Sequence, residues 1–190
     1  ARIKAIGYAR ASGLLTLADD SGLEVDALGG EPGVRSKRYA GDGKSDAARI
    51  VFLLAKLRDI PRGKRAARFR CAIAIASPRG ELWECDGICE GEIEFTPRGT
   101  NGFGYDPVFF VAARGVTMAE LPSAEKNKIS HRARAAAEAK KILRARTNSH
   151  SRCGTSAETD QPAEPRSSDS RRPPTCARRA RASPGRTRRT

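Results

Sequence analysis

The sequence is sparing with the residues that most often announce a site or a compartment. Aromatic residues make up 5% of its 190 positions, and there are two histidines, one methionine and one tryptophan. With only His131 and His150 to complete a cluster, and with Cys85 and Cys89 four apart and no Cys-x-x-Cys, the paired spacings of a structural zinc site are missing. The five cysteines are odd in number, which suits reduced thiols of a cytoplasmic protein better than a disulfide framework. No apolar run approaches the length that spans a bilayer, and no charged n-region followed by an apolar h-region opens the chain. The chain starts at Ala1, without Met, inside what reads as a helix, as a fragment does.

What is present divides near residue 144. The formal net charge is +14, shared equally between two unlike parts. Residues 145–190 carry 11 Arg, no Lys and 4 acids, and contain no Val, Ile, Leu, Met, Phe, Trp or Tyr. Such a segment has no apolar surface to bury against its ordering entropy and reads as a disordered tail. It could contact nucleic acid through phosphates, or be the out-of-frame translation of a GC-rich gene.

Residues 1–144 alternate helix and strand and predict an α/β domain with a largely mixed sheet. Residues 1–12 read as a helix and Leu14–Ala18 as a short buried strand. Leu23, Val25 and Ala27 alternate into a Gly29-Gly30 turn and a Gly/Pro-rich loop. Ser45 or Asp46 caps a helix with Ile50, Leu53, Leu54 and Leu57 on one face. "RFRCAIAIAS" is a strand, "LWECDGICEGEIEF" a strand pair or one long bent strand, and "DPVFFVA" a further strand. "AELPSAEKNKIS" is an irregular link with one helical turn, and "HRARAAAEAKKILRA" a closing helix.

Three stretches carry the chemistry. In "TLADDSGLEV" two adjacent carboxylates, Asp19 and Asp20, sit at the predicted strand end beside Ser21. Their repulsion is relieved if they face a cation, and Mg²⁺ favours one or two carboxylates with waters and substrate phosphates; turn-forming acids are the plainer alternative. In "GTNGFGYDPVFF" glycines flank Phe103 and Tyr105, so an aromatic ring there either stacks on a flat ligand or fills the core. In "EKNKISHRARA" Ser130 reads as an N-cap, which puts His131, Arg132 and Arg134 in a first helical turn. Cations oppose the helix dipole there and call for an anionic or carbonyl partner, or form a solvated face.

"ADDSGLEVDALGGEPGVRSKRYAG", "GTNGFGYDPVFF" and "EKNKISHR", in this order and spacing, together resemble the inosine/xanthosine triphosphate pyrophosphatase family over residues 1–144. The resemblance implies an elongated α/β fold of two lobes around a mixed sheet, with the substrate in the cleft between them, usually as a homodimer. It implies Mg²⁺-dependent hydrolysis of ITP, dITP and XTP to the monophosphate and pyrophosphate. Matched by motif, Asp20 is the general base and metal contact, with Asp19 beside it at the metal, and Ser21 touches substrate. Lys4 binds phosphate. Phe103, Gly104, Tyr105 and Asp106 embrace the nucleoside, with Phe103 stacked on the purine. Lys126, His131 and Arg132 read the base: donors favour a 6-carbonyl over the 6-amino group of adenine. The family also begins with a strand and a Thr/Ser-Gly-Asn-x-x-Lys phosphate loop, and an acid just before the first helix here. Neither precedes Ala1, so the chain as given is expected to hydrolyse ITP poorly. The alternative reading is a catalytically silent remnant that binds nucleotides, or nucleic acid through its tail.

Overall fold

Alternating apolar residues from Ala67 to Ile75 build the central strand, and everything else is arranged around it. The computed structural model describes residues 1–151. The central strand, β3 (Ala66–Ala76), follows β1 (Thr16–Val25) and β2 (Pro32–Gly33). It is followed by β4 (Leu82–Ile93), β5 (Phe109–Val111) and β6 (Val116–Thr117). The sheet order is β2-β1-β3-β4-β5-β6. Every pairing is antiparallel, where the sequence suggested a mixed sheet. The connection from β3 to β4 explains part of this: a tight turn closes with Ser77 N–H on the Glu81 carbonyl at 2.9 Å, and so short a link can only reverse the chain.

The helices are α1 (Arg2–Ser12), α2 (Asp46–Lys56), α3 (Ser123–Ile129) and α4 (His131–Ser151). Ser45 caps α2, its hydroxyl accepting from the Ala48 amide. Ser130 caps α4 through the Ala133 amide. Neighbouring residues of a strand point to opposite faces. On one face of β3, Ala74 and Ala76 meet Ala5 and Ala9 of α1. On the other, Cys71, Ile73 and Ile75 meet Ala135 and Ala139 of α4. The main core lies on the α4 side, where Leu23, Val25, Phe69, Ile93 and Phe109 take Ile50, Leu53 and Leu57 of α2. The structure thus places α1 and α4 on opposite faces of one sheet.

Several expectations change. The two strands foreseen around "ADDSG" are one unbroken strand, β1, because pairing with β3 from Thr16↔Ala76 to Val25↔Ala67 overrides the turn chemistry of Asp, Ser and Gly. Asp19 and Asp20 are therefore mid-strand. Leu14, Leu15 and Leu17, expected to be buried, are exposed. β2 covers the outer edge of β1 only at Leu23 and Glu24, so Thr16–Gly22 has no strand on that side among the described residues. "LWECDGICEGEIEF" is one long strand. Asp106–Val108 forms a 3₁₀ turn ahead of β5. The irregular link holds α3, and α4 runs past residue 144 to Ser151. The remainder of the expected tail lies outside the described residues.

Gly87, paired with Cys71 across β3–β4, lets α4 lie on the sheet. A Cβ there would stand 2.3 Å from both the His131 carbonyl and the Ala135 amide nitrogen. Gly87→Ala is expected to destabilise the protein by about 2–3 kcal/mol, the usual penalty for overpacking against backbone, read from the urea midpoint. A loss below about 0.5 kcal/mol would show that α4 shifts freely.

Candidate functional site

A cleft of about 780 Å³ runs along the open edge of β1. Every residue that the family resemblance assigns to the site lines it: Lys4, Asp19, Asp20, Ser21, Phe103, Gly104, Tyr105, Asp106, Lys126, His131 and Arg132. They come from α1, β1, the loop before β5, α3 and the start of α4, so the fold gathers into one place what the chain spreads over more than a hundred positions.

The adjacent carboxylates do not share one counter-charge. Asp20 turns toward α1, where Lys4 Nζ stands 3.4 Å from its Oδ1 and 3.3 Å from the Asp19 carbonyl. Asp19 turns toward α4 and meets Arg132 Nε at 3.3 Å. The two-residue period of the strand separates the charges, and a cation from each flanking helix neutralises one of them. Both pairs are about half exposed and so contribute little to stability. Among the described residues no three His, Cys, Asp or Glu side chains cluster as a metal cage. A single exposed carboxylate at the mouth of a cleft does suit Mg²⁺, which keeps several waters and takes its remaining oxygens from substrate phosphates. Asp20 fits that description; Asp19, turned away and held by Arg132, fits it less well.

His131 was expected as a first-turn cation and is not one. Its ring is buried and stacks on Phe69, with centroids 4.9 Å apart. Burial, reinforced by the nearby positive charges of Arg132 and Lys126, pushes its pKa down to about 4. The imidazole is neutral at pH 7, and its Nδ1 is buried without a hydrogen-bond partner. Ser21 Oγ is likewise buried and without a good partner, with the weak Cys71 thiol beside it. Arg132 has Asp19, and Arg134 donates to the Ile88 carbonyl at 2.8 Å, which relieves the dipole conflict that the sequence raised.

The glycine-rich loop separates its two aromatics. Tyr105 fills the core: it is buried, its hydroxyl donates to the Ser36 carbonyl at 2.9 Å, and burial raises its pKa to about 12. Phe103 is 60% exposed, with Lys126 Nζ 4.7 Å and the Arg132 guanidinium 5.4 Å from its ring centre. Asp106 is buried; its Oδ2 accepts from the Phe103 amide at 2.8 Å and binds Lys126 Nζ. Gly102 belongs there for two reasons: its φ is +80°, and a Cβ would fall 2.1 Å from Asp106 Oδ2.

Asp46 and Arg49 also line the cleft, and the sequence did not mark them. An acid after a Ser cap reads as ordinary helix-start chemistry. Nothing along the chain ties it to a loop 58 residues on, where Asp46 Oδ2 accepts from the Gly104 amide at 2.6 Å.

His131 makes stability depend on pH. Its folded pKa, about 4, lies below the unfolded value of 6.5. The stabilisation is complete above pH 6.5 and is lost as the pH falls toward 4, because the unfolded chain takes the proton first. The melting temperature should fall through this window, and less steeply in His131→Gln. Equal slopes in the two proteins would mean that His131 is not held neutral.

Residues 1–142 match the Ham1 family. The dITP/XTP pyrophosphatase of Bacillus licheniformis is 56% identical over 133 residues, 70% of this chain and 68% of that protein. The enzyme of the same name from Shouchella clausii is 57% identical over 121 residues, 64% of this chain and 61% of that protein. That from Bacillus subtilis is 51% identical over 143 residues, 75% and 72% of the respective chains. The chain thus spans about 61–72% of the length of these curated relatives. The fold agrees. The Staphylococcus aureus Ham1 protein superposes with a TM-score of 0.73 at 44% identity, covering 77% of this chain and 75% of its own. A HAM1 protein from Coxiella burnetii gives 0.72 at 46% identity, covering 75% and 74%. With three quarters of its length matched, its strand order and cleft described, and relatives at more than 50% identity, the chain belongs to the Ham1 family.

Proposed function

We propose that this protein hydrolyses non-canonical purine nucleoside triphosphates, ITP, dITP and XTP, to the monophosphate and pyrophosphate. One observation carries the reading: a single cleft is lined both by an exposed aromatic ring, Phe103, and by a buried neutral imidazole, His131, with an unmatched nitrogen. A flat ring to stack on and an unmatched hydrogen-bonding group in the same cleft are what a purine base requires. The names of the relatives, dITP/XTP pyrophosphatases, support the same substrate class.

The reaction is attack of water on the α-phosphorus with pyrophosphate as leaving group. It needs charge neutralisation, in-line placement and a base. Lys4 lies beside Asp20 and can swing its ammonium to pair with a phosphate oxygen as substrate enters, which leaves the Asp20 carboxylate free to take a proton from water. In the same cleft Lys126 and Arg132, both beside the Phe103 ring, offer donors to a 6-carbonyl. Both are anchored by carboxylates, Lys126 by Asp106 and Arg132 by Asp19. Mg²⁺ held at Asp20 would neutralise the phosphates, with Asp19 acting as the anchor of Arg132. The reading further includes a homodimer, testable by light scattering, and a cytoplasmic setting. No helix of the described residues is long and apolar enough to cross a membrane.

The test of catalysis is pyrophosphate release from ITP, in a chain to which the family's N-terminal strand and phosphate loop have been joined. Asp20→Asn should lower turnover by about a hundredfold or more, the scale of a lost general base, while ITP affinity stays within about threefold. Asp19→Asn should act more mildly, and through KM. Turnover in Asp20→Asn close to that of the parent would overturn the assignment.

The test of base reading is the ratio of kcat/KM for ITP over ATP. Arg132→Ala and His131→Ala should each lower it by about tenfold or more, mainly by loss of ITP, because a site built around donors discriminates by leaving them unmatched. An unchanged ratio in both variants would show that these side chains do not face the base.

A further inference from the structure

The loop that carries Phe103 reaches over the cleft, and two carboxylates hold its tip. Two consecutive backbone amides are used: Phe103 N–H donates to Asp106 Oδ2 at 2.8 Å and Gly104 N–H to Asp46 Oδ2 at 2.6 Å. Asp106 belongs to the loop's own return. Asp46 comes from the first turn of α2, on another wall of the same cleft. Its second oxygen, Oδ1, is taken by the Arg49 guanidinium, which also donates to the Lys44 carbonyl and, at 3.1 Å, to the Lys37 carbonyl. The Arg49 side chain is only 12% exposed. Both Asp46 oxygens are therefore engaged, which leaves the group poorly placed to serve as a base or a metal ligand. The helix does not need Asp46 as a cap either, since the Ser45 hydroxyl already receives the Ala48 amide.

We infer that Asp46 is a positioning residue: it latches the tip of the aromatic loop to α2 and so sets where the Phe103 ring stands over the cleft. The inference rests on reading the cleft as a nucleotide site. Gly102 and Gly104, with φ of +80° and +63°, give the loop its bend and also leave its backbone free to swing once the tie is lost. The neighbouring tie, Tyr105 Oη to the Ser36 carbonyl, lies in the core and cannot by itself orient the exposed residue two positions earlier. A hydrogen bond to an ionised carboxylate is among the stronger ones available to a backbone amide, which suits it to this task. Asp46 thus acts on substrate through Phe103, and its loss should be felt in binding of the base more than in the chemical step at Asp20.

The experiment compares Asp46→Ala, Asp46→Asn and Ser45→Ala with the parent, by hydrogen exchange of the segment holding Phe103 and Gly104 and by ITP kinetics. In Asp46→Ala the Gly104 amide should exchange about tenfold faster or more, and KM for ITP should rise about tenfold with kcat within about threefold. Asp46→Asn keeps an acceptor for Gly104 and should restore most of both. Ser45→Ala loosens the start of α2 and should move neither. Unchanged exchange in Asp46→Ala overturns the latch. Faster exchange with unchanged KM overturns its role in the site, as does an equal response to Ser45→Ala. A parent that neither binds nor turns over ITP overturns the nucleotide reading and the role built on it; exchange, which needs no nucleotide, then decides on the latch alone.

Discussion

The pairing of β1 with β3 over ten residues is the constraint on which the site depends. Because the register is unbroken, the period of two is enforced through Asp19-Asp20, and two like charges that would repel on one surface are sent to two. That separation decides which helix serves each carboxylate, α1 for Asp20 and α4 for Asp19. On the reading proposed above, it also divides the cleft into an end for phosphate and an end for a base. A one-residue slip would exchange those ends and bring Leu23 and Val25 out of the core.

The charged groups of the cleft differ in what they contribute. The Lys4–Asp20 and Arg132–Asp19 pairs are half exposed, each worth about 0–1 kcal/mol, so a ligand can break them at small cost. The Asp106–Lys126 pair is different. Asp106 is 3% exposed, and its carboxylate holds both the Lys126 ammonium and the Phe103 amide. Removal of one partner from a buried pair typically costs about 3–5 kcal/mol, because a charge is left without compensation. The first two pairs are poised to rearrange around a ligand; the third is built to stay.

Much of the fold was legible because it follows from local rules. The apolar spacing of Ile50, Leu53 and Leu57, with Ser45 ahead of it, foretold α2. The alternation of "RFRCAIAIAS" foretold β3, and Ser130 was read as the cap that it is. What was not legible depends on tertiary environment. Asp-Asp-Ser-Gly is turn chemistry until a ten-residue partner strand straightens it. Phe103 and Tyr105 look alike between their glycines, and only packing sends one to solvent and the other to the core. His131 beside Arg132 looks like a pair of cations, and burial against Phe69 removes one of them. Asp46 carried no signal, since its partner is a backbone amide and a backbone amide has no letter in a sequence.

The two faces of β3 attach their helices in unlike ways. The α1 contact is centred on methyl groups, Ala5 and Ala9 on Ala74 and Ala76, with the partly buried Ile6 and Leu82 beside them, so it brings the backbones close at small side-chain entropy cost and removes less apolar area from water. The α4 contact sets Cys71, Ile73 and Ile75, joined by Trp83, Ile142 and Leu143, against a longer helix. The cleft therefore has a soft bank and a stiff bank. The bank that carries Lys4 can yield by small displacements of α1, whereas the bank that carries His131 and Arg132 is clamped by large side chains with little room to move. Such a division would suit the nucleotide site proposed above, which has one flat, rigid base to recognise and a flexible polyanion to accommodate as its charge and length change.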